Sequence, residues 1–317
     1  MPTTSSKTNF STSQKSHHHG NADDRSQAPL DWPNIDYLFS FGDSYTTTGY
    51  NVTLGINSVD PGFTSANGPN WIQNLRTTYS VNPNLKGYNL AYGGATVDAK
   101  FVTPYLPTVL SLKDQVDLFK QYFAQPPAEA PWTPDNTLFA IWIGINDVGN
   151  SYAWTNVSLA DFYKTEHEEI VDLFTDLAPC FNTSRPNFLV LTVPPISRAP
   201  LFEGQGSEVS KQVADAAKLF NDGLKETVMP SLLSLGGYAR LFDTAPVFNN
   251  LLDNADVFGF INVTGYNDDY ANGTPSPNSQ IGNNPPVSSY FWLNSLHPTW
   301  PVHNVLAHSI ATFLVGA

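Results

Sequence analysis

Short apolar runs alternate with longer segments of helical spacing from residue 37 onward, without an internal repeat. Runs that are apolar throughout suit strands whose sheet is covered on both faces by helices. The alternation therefore predicts βαβ units and a parallel sheet. The five predicted strands, each bounded by Gly, Pro, Asn or Asp, cover residues 37–41, 87–91, 138–143, 188–193 and 239–242.

Long helices and loop-rich segments lie between and after these strands. Ser158 precedes the first of the long helices in the position of an N-cap. Pro230 is expected to end or kink the second. The loop-rich segments carry Asn, Gly, Pro and aromatic residues and are expected to shape a cleft. The predicted helices cover residues 159–177, 209–229 and 302–314, and the loop-rich segments cover residues 53–66 and 243–289.

The polar N-terminus differs from the rest of the chain. Residues 1–30 are rich in Ser, Thr, Asn and Gln and include the run His17 to His19, which predicts a disordered tail. The remaining part, 31–317, is expected to form a single domain. With 41% apolar residues, a chain of this length can bury a substantial core.

Charge and cysteine content exclude several classes of function. The chain has 317 residues, a formal net charge of −13 and only 14% charged residues. Nucleic acid and anionic membranes are therefore poor partners, and no apolar run is long enough to span a bilayer. The single cysteine, Cys180, gives neither an internal disulfide nor a metal cluster. We also expect a monomer.

N-glycosylation sequons are frequent and favour a secreted glycoprotein. The N-terminus contains no apolar run typical of a signal peptide, so the sequence shows no export signal. The sequons begin at Asn9, Asn51, Asn156, Asn182, Asn262 and Asn272.

Candidate catalytic residues follow three of the predicted strands, where the loops of a parallel sheet converge on ligands. Ser44 follows the first strand after Gly42 and is placed as a nucleophile, although a helix cap would also explain a serine here. After the second strand, the Gly94 amide can donate to an oxyanion, or the glycine pair forms an ordinary turn. After the third strand, the Asn146 side chain can donate a second hydrogen bond or serve as a turn residue.

His297 is the candidate base, because a serine nucleophile needs one and imidazole is the usual choice. Three histidines lie in the polar tail and His167 lies within a predicted helix. His303 and His308 lie inside the closing helix, and their spacing from His297 does not place the three on one helical face for a metal. His297 remains, in the loop before that helix, although it too could be structural.

Taken in order, four segments resemble the motifs of the GDSL or SGNH hydrolases: FSFGDSY, NLAYGGATVD, IWIGINDVGN and NSLHPT. The resemblance covers residue 37 to the C-terminus. It implies a flavodoxin-like, three-layer α/β/α sandwich with a mostly parallel five-stranded sheet. It also implies that Ser44 is the nucleophile, His297 the general base, and the Ser44 amide, Gly94 amide and Asn146 side chain the oxyanion hole.

Asn294 departs from that family pattern, which has an aspartate three residues before the histidine. An amide oxygen can accept from imidazole Nδ1 and hold one tautomer, but it supplies no negative charge. Three interpretations follow: Asn294 orients His297, another carbonyl or carboxylate does so, or the enzyme is weakened. The first is preferred because the other motifs are intact.

The segment FWLNSLHPTW also resembles fungal acetylesterases of carbohydrate esterase family 16. This resemblance implies a serine esterase that removes acetyl groups from xylo- or manno-oligosaccharides through an acyl-enzyme, without a cofactor. Asp43, beside Ser44, and Trp292, near His297, are expected to contact the substrate, whereas Trp142 is expected in the core.

Three other functions stay open. A lipase or lysophospholipase could use the same fold, and a non-catalytic sugar-binding protein could have lost the aspartate. A glycoside hydrolase could use Asp268 and Asp269, although adjacent side chains usually point apart.

Overall fold

The central sheet is formed by five parallel strands. The computed structural model describes residues 30–182 and 184–316, so residues 1–29 of the predicted tail and the Asn9 sequon lie outside the described residues. Leu30, the last residue assigned to that tail, is instead buried in the core. The strand order is β2-β1-β3-β4-β5, the flavodoxin-like order that the sequence predicted. The strands are β1 (Tyr37–Gly42), β2 (Lys86–Asn89), β3 (Thr137–Trp142), β4 (Asn187–Leu191) and β5 (Ala239–Phe242), within two residues of the predicted bounds.

Helices cover both faces of this sheet. Alternate residues of a strand point to opposite faces, and the aromatic ring of Phe39 in β1 packs on Phe119, whereas Leu38 faces the side that carries Ile72. The three-layer α/β/α prediction is therefore confirmed. The helices are α1 (Trp71–Thr77), α2 (Leu112–Phe123), α3 (Ile145–Ser151), α4 (Leu159–Thr175), α5 (Ala178–Phe181), α6 (Pro200–Glu203), α7 (Ser207–Gly223), α8 (Met229–Ser234), α9 (Ala245–Asp253) and α10 (Trp300–Val315).

The helix continues past Pro230, so of the two effects predicted for this residue, an end or a kink, the end does not occur. A π turn at Leu224–Val228 joins α7 to α8, and the chain stays helical to Ser234. Pro230 thereby falls in the first turn of α8, where a missing backbone N–H is tolerated. The segment predicted as a long loop after β5 likewise contains a helix, α9.

One apolar cluster extends from Leu30, before β1, to Leu314 near the end of α10. The strands β1 and β3 are buried along their whole length, as runs without polar alternation predict. Trp142 in β3 is fully buried, as predicted, and its indole donates to the carbonyl oxygen of Thr192. Within the described ranges, no helix combines the length and the apolar character needed to cross a membrane.

Candidate active site

Ser44 lies in a tight turn directly after β1. Gly42 has a φ of +150°, and a Cβ at this position would lie 2.2 Å from the carbonyl oxygen of Trp142, so no larger residue fits. The buried side chain of Gln115 accepts a hydrogen bond from the Gly42 amide and donates one to its carbonyl oxygen, both at 2.9 Å. The start of the turn is therefore fixed from both sides.

Asp43 shapes this turn and does not reach the surface. Its side chain is fully buried, and its Oδ1 accepts a hydrogen bond from the Tyr45 amide at 2.9 Å. Burial raises the pKa of Asp43 to about 8. The prediction that Asp43 contacts substrate is wrong, because the strand end turns its carboxyl group inward.

Buried amide side chains hold the residues that follow Ser44. Asn89, at the end of β2, donates to the Thr46 carbonyl oxygen at 2.6 Å and to the Thr48 hydroxyl at 3.0 Å. Asn70, which caps α1, also donates to the Thr46 carbonyl oxygen, at 2.8 Å. Ser44 itself is partly exposed, so a rigid frame presents one accessible hydroxyl group.

Ser44, His297 and Asn294 form a hydrogen-bonded chain. The distance from His297 Nε2 to Ser44 Oγ is 2.7 Å, and the distance from His297 Nδ1 to Asn294 Oδ1 is 2.9 Å. Because an amide oxygen only accepts hydrogen bonds, Nδ1 carries the proton and Nε2 is free to accept the serine proton. The chain can therefore activate the hydroxyl group as a nucleophile.

Asn294 is well anchored in this arrangement. Its Oδ1 also accepts the backbone amides of Leu296, at 3.1 Å, and His297, at 3.0 Å, which identifies the oxygen side of the amide. Its Nδ2 donates to the carbonyl oxygen of Ala271 at 3.4 Å. The amide that stands in place of the family's aspartate therefore contacts both the histidine and a neighbouring loop.

Burial lowers the pKa of His297 to about 4. The group against Nδ1 is an uncharged amide oxygen, so this contact adds no negative charge to stabilise the imidazolium. Over a wide pH range the ring is therefore neutral, which is the form that accepts a proton from Ser44.

Tyr45 links the serine turn to the histidine loop, a role that the sequence analysis missed. Its hydroxyl group donates to the Leu296 carbonyl oxygen at 2.6 Å, and its ring lies 5.6 Å from that of His297. Trp292 supports the same loop from inside: it is 1% exposed, and its indole donates to the Val263 carbonyl oxygen. The prediction that Trp292 contacts substrate is wrong, because its ring belongs to the core.

The other described histidines do not approach Ser44. His303 is buried in α10, and its Nδ1 accepts a hydrogen bond from the Trp71 amide at 3.4 Å. His167 is buried in α4 against the ring of Phe220. Burial lowers the pKa of both, to about 3 for His303 and about 4 for His167, so both stay neutral.

Gly94 and Asn146 lie at the two neighbouring strand ends. Gly94 has a φ of +83°, and a Cβ there would lie 2.3 Å from the ring of Tyr105. The Asn146 side chain donates to the Ala95 carbonyl oxygen at 2.8 Å, which leaves its second N–H available. Among residues 30–182 and 184–316, the amides of Ser44 and Gly94 donate to no backbone acceptor. These groups are free to act as oxyanion donors.

A buried pair of acids lies beneath these donors. Asp147, next to Asn146, accepts the Val97 amide at 2.9 Å, so Asn146 and Asp147 together join the loop after β3 to the loop after β2. Glu166 of α4 is fully buried beside Asp147, and when Glu166 is protonated its carboxyl group donates a hydrogen bond to the Asp147 carboxylate. Burial and the nearby Asp147 carboxylate raise the pKa of Glu166, so the pair retains a proton at neutral pH.

A cleft of about 840 Å³ opens beside His297. Its walls come from two distant segments, residues 62–68 and 271–277, and Leu293 and Asn294 also line it. Asp268 and Asp269 are exposed and do not line this cleft, which gives the glycoside hydrolase alternative no support.

Comparisons with known proteins show which family this chain resembles. The model of the GDSL-like lipase/acylhydrolase family matches residues 38–233. An acetylesterase of Thermothelomyces thermophilus is 36% identical over 293 residues, which cover 89% of this chain and 89% of that protein. A GDSL esterase/lipase of Arabidopsis thaliana is 29% identical over 258 residues, covering 71% of this chain and 67% of the relative.

Among solved structures, a variant of an acetyl-xylooligosaccharide esterase from Geobacillus has a TM-score of 0.48 and 15% sequence identity, over 88% of this chain and 94% of that chain. In this chain a serine is hydrogen-bonded to a histidine at the carboxyl edge of a flavodoxin-like sheet. Hydrolytic enzymes use such a pair to activate the serine as a nucleophile. The chain belongs to the GDSL-like lipase/acylhydrolase family. It is a carboxylic ester hydrolase.

Proposed function

We propose that this protein is a serine esterase that removes O-acetyl groups from carbohydrates. In this proposal Ser44 is the nucleophile, His297 the general base and Asn294 the residue that orients it. The observation that carries the proposal is the chain of two hydrogen bonds, 2.7 Å and 2.9 Å, from Ser44 through His297 to Asn294.

The proposed reaction has two steps. His297 Nε2 takes the Ser44 proton as Oγ attacks the ester carbonyl carbon, and the tetrahedral oxyanion is held by the Ser44 amide, the Gly94 amide and the Asn146 side chain. His297 then protonates the departing alcohol, which leaves an acyl-enzyme on Ser44. Water, deprotonated by His297, attacks this ester and releases the acid together with the free serine.

Two further observations support the proposed specificity, one for the acetyl group and one for the sugar. The relative from Thermothelomyces thermophilus is an acetylesterase, and it aligns with 89% of this chain. The cleft beside His297 is lined by hydroxyl and amide side chains as well as apolar ones, which suits a sugar better than a fatty acyl chain. The polar residues of the lining are Thr64, Ser65, Asn67, Asn272, Thr274 and Asn294.

The test compares p-nitrophenyl acetate, butyrate and octanoate, together with acetylated xylo-oligosaccharides, for the wild type and Ser44→Ala. We expect turnover that is fastest on acetate, extends to the sugar ester and disappears in Ser44→Ala. Ser234→Ala, an exposed serine at the end of α8, is the matched control and should behave as wild type.

Two results would contradict the proposal. A preference for octanoate would indicate a lipase, and the absence of serine-dependent turnover on any ester would indicate a sugar-binding protein. Circular dichroism of Ser44→Ala checks that lost activity does not reflect lost folding.

We also propose that the protein is secreted and glycosylated. The sequon asparagines Asn51, Asn156 and Asn182 are exposed and do not line the cleft, whereas Asn262 is partly buried and Asn272 lines the cleft. Exposed sequons are the ones that accept glycans on a secreted protein. A mass loss after peptide-N-glycosidase treatment of the secreted protein is expected, and an unchanged mass would refute glycosylation.

A further inference from the structure

Phe63 is an exposed aromatic residue at the candidate active site. Its side chain is 74% exposed, and it lines the same cleft as His297 and Asn294. An aromatic ring gains free energy by leaving water, so a ring displayed on the wall of a cleft is suited to contact a ligand.

The backbone beneath Phe63 is held in place. The Phe63 amide donates to the Thr48 carbonyl oxygen at 2.7 Å. Asp60 accepts from the Thr48 hydroxyl at 2.9 Å and from the Gly62 amide at 3.0 Å. Because Thr48 belongs to the frame around Ser44, the backbone position of Phe63 is set relative to the catalytic turn, and little backbone entropy is lost when a ligand binds.

Hydrogen bonds connect the wall that carries Phe63, residues 62–68, to the opposite wall, residues 271–277. Asn67, with a φ of +54°, accepts from the Thr274 amide at 2.6 Å and donates to the Thr274 hydroxyl at 2.8 Å. The Trp300 indole donates to the Pro277 carbonyl oxygen at 2.9 Å. The Asn294 amide adds its contact with Ala271 at the inner end. The width of the cleft is therefore fixed at several points along its length.

We propose that this cleft binds the sugar part of the substrate, with Phe63 as the platform for the face of a sugar ring. An acetyl group is far too small to occupy about 840 Å³, so the space serves the alcohol side of the ester. Sugar rings present C–H groups on their faces and hydroxyl groups at their edges. Phe63 suits the faces, and the hydroxyl and amide side chains of both walls suit the edges.

This inference rests on the proposed carbohydrate esterase function, and the experiment separates the two. The substrates are acetylated xylo-oligosaccharides and ethyl acetate, whose alcohol has no sugar ring to stack on Phe63. The variants are Phe63→Ala, Phe63→Trp and, as a matched control, Phe258→Ala, a surface phenylalanine that does not line the cleft.

In Phe63→Ala we expect kcat/KM for the sugar ester, divided by kcat/KM for ethyl acetate, to fall about tenfold. This corresponds to about 1.4 kcal/mol of lost stacking. The fall should appear mainly in KM, with Phe63→Trp within about threefold of wild type and Phe258→Ala unchanged. Thermal unfolding of each variant confirms folding.

A wild type that cleaves the sugar ester and a Phe63→Ala variant with the same ratio would overturn this inference and leave the proposed function intact. A wild type that cleaves ethyl acetate and not the sugar ester would overturn both. A proportional loss on both substrates would make Phe63 a structural residue, which also overturns the inference.

Discussion

Replacing Asn294 by aspartate tests how the histidine is controlled. The substitution keeps the acceptor that lies 2.9 Å from His297 Nδ1 and adds a negative charge. A carboxylate stabilises the imidazolium and therefore raises the pKa of His297. Since the neutral ring is the active form, the acid limb of the pH profile must move to higher pH in Asn294→Asp.

The size of this shift follows from the geometry. Two unit charges about 4 Å apart interact by about 4 kcal/mol at an effective dielectric constant of about 20. At 1.36 kcal/mol per pKa unit this limits the rise to about three units, and partial burial of the new carboxylate reduces it. Burial lowers the pKa of His297 to about 4 in the wild type, so we expect about 5 to 7 in the variant.

The assay is kcat/KM for p-nitrophenyl acetate from about pH 4 to pH 8, because this parameter reports the pKa of the free enzyme. Asn278→Asp makes the same change of charge at an exposed position in the neighbouring loop and controls for net charge. An acid limb at the same pH in Asn294→Asp and wild type would refute the reasoning, since Asn294 would then not contact the imidazole during catalysis. A shift of equal size in Asn278→Asp would refute it as well.

Two further predictions concern the oxyanion loops and the acids beneath them. Asn146→Ala is expected to lower kcat about 10²- to 10³-fold with little change in KM, because it removes one donor that acts in the transition state; steady-state kinetics on the acetate ester checks this, and an unchanged kcat would make Asn146 a turn residue. Glu166 keeps its proton in the folded state, whereas in the unfolded chain it loses the proton above the ordinary pKa of 4.5. The free energy of unfolding must therefore fall as pH rises, by up to about 1.4 kcal/mol per pH unit. Glu166→Gln, with a side chain that is neutral at every pH, should flatten this slope in urea unfolding between pH 5 and pH 8, and equal slopes would show that Glu166 is ionised in the wild type.

The sheet was predictable because its strands are buried on both faces. Such strands are mostly apolar, as β1 and β3 are, and the polar loops begin at Gly, Asn or Asp near their ends. The same ends mark the loops of the candidate site. Ser44, Gly94 and Asn146 were therefore found from local sequence, although only the structure brings their strand ends together.

Side-chain direction at the strand ends was not predictable from sequence proximity. Asp43 is adjacent to Ser44 and Trp292 is five residues from His297, yet both are buried. One residue along a turn or an extended segment reverses the direction of the side chain, so closeness in sequence does not place a group in the cleft. Gln115 offered a signal, since it is a polar residue on the buried face of α2.

The cleft itself depends on tertiary contacts across about two hundred residues. Its two walls, residues 62–68 and 271–277, have no shared pattern, and they meet through the side chain of Asn67, which bonds to Thr274. Neither segment shows the apolar periodicity that sequence reasoning uses. For this reason the exposure of Phe63 on one wall of the cleft could not be predicted from the sequence.

The side-chain amide of Asn294 contacts both the candidate catalytic histidine and a wall of the cleft. Its Oδ1 fixes the tautomer of His297 while its Nδ2 faces the Ala271 carbonyl oxygen, and a carboxylate could make only the first contact. The amide forgoes a charge that would stabilise the imidazolium in the transition state, and it leaves a histidine whose pKa stays below its ordinary value. The profiles of wild type and Asn294→Asp must then cross. The variant gains near pH 8, where His297 is mostly unprotonated in both proteins. The wild type retains more of its activity near pH 5, where the variant's His297 carries a proton. Profiles that run parallel over this range would show that the amide and the carboxylate are equivalent to His297.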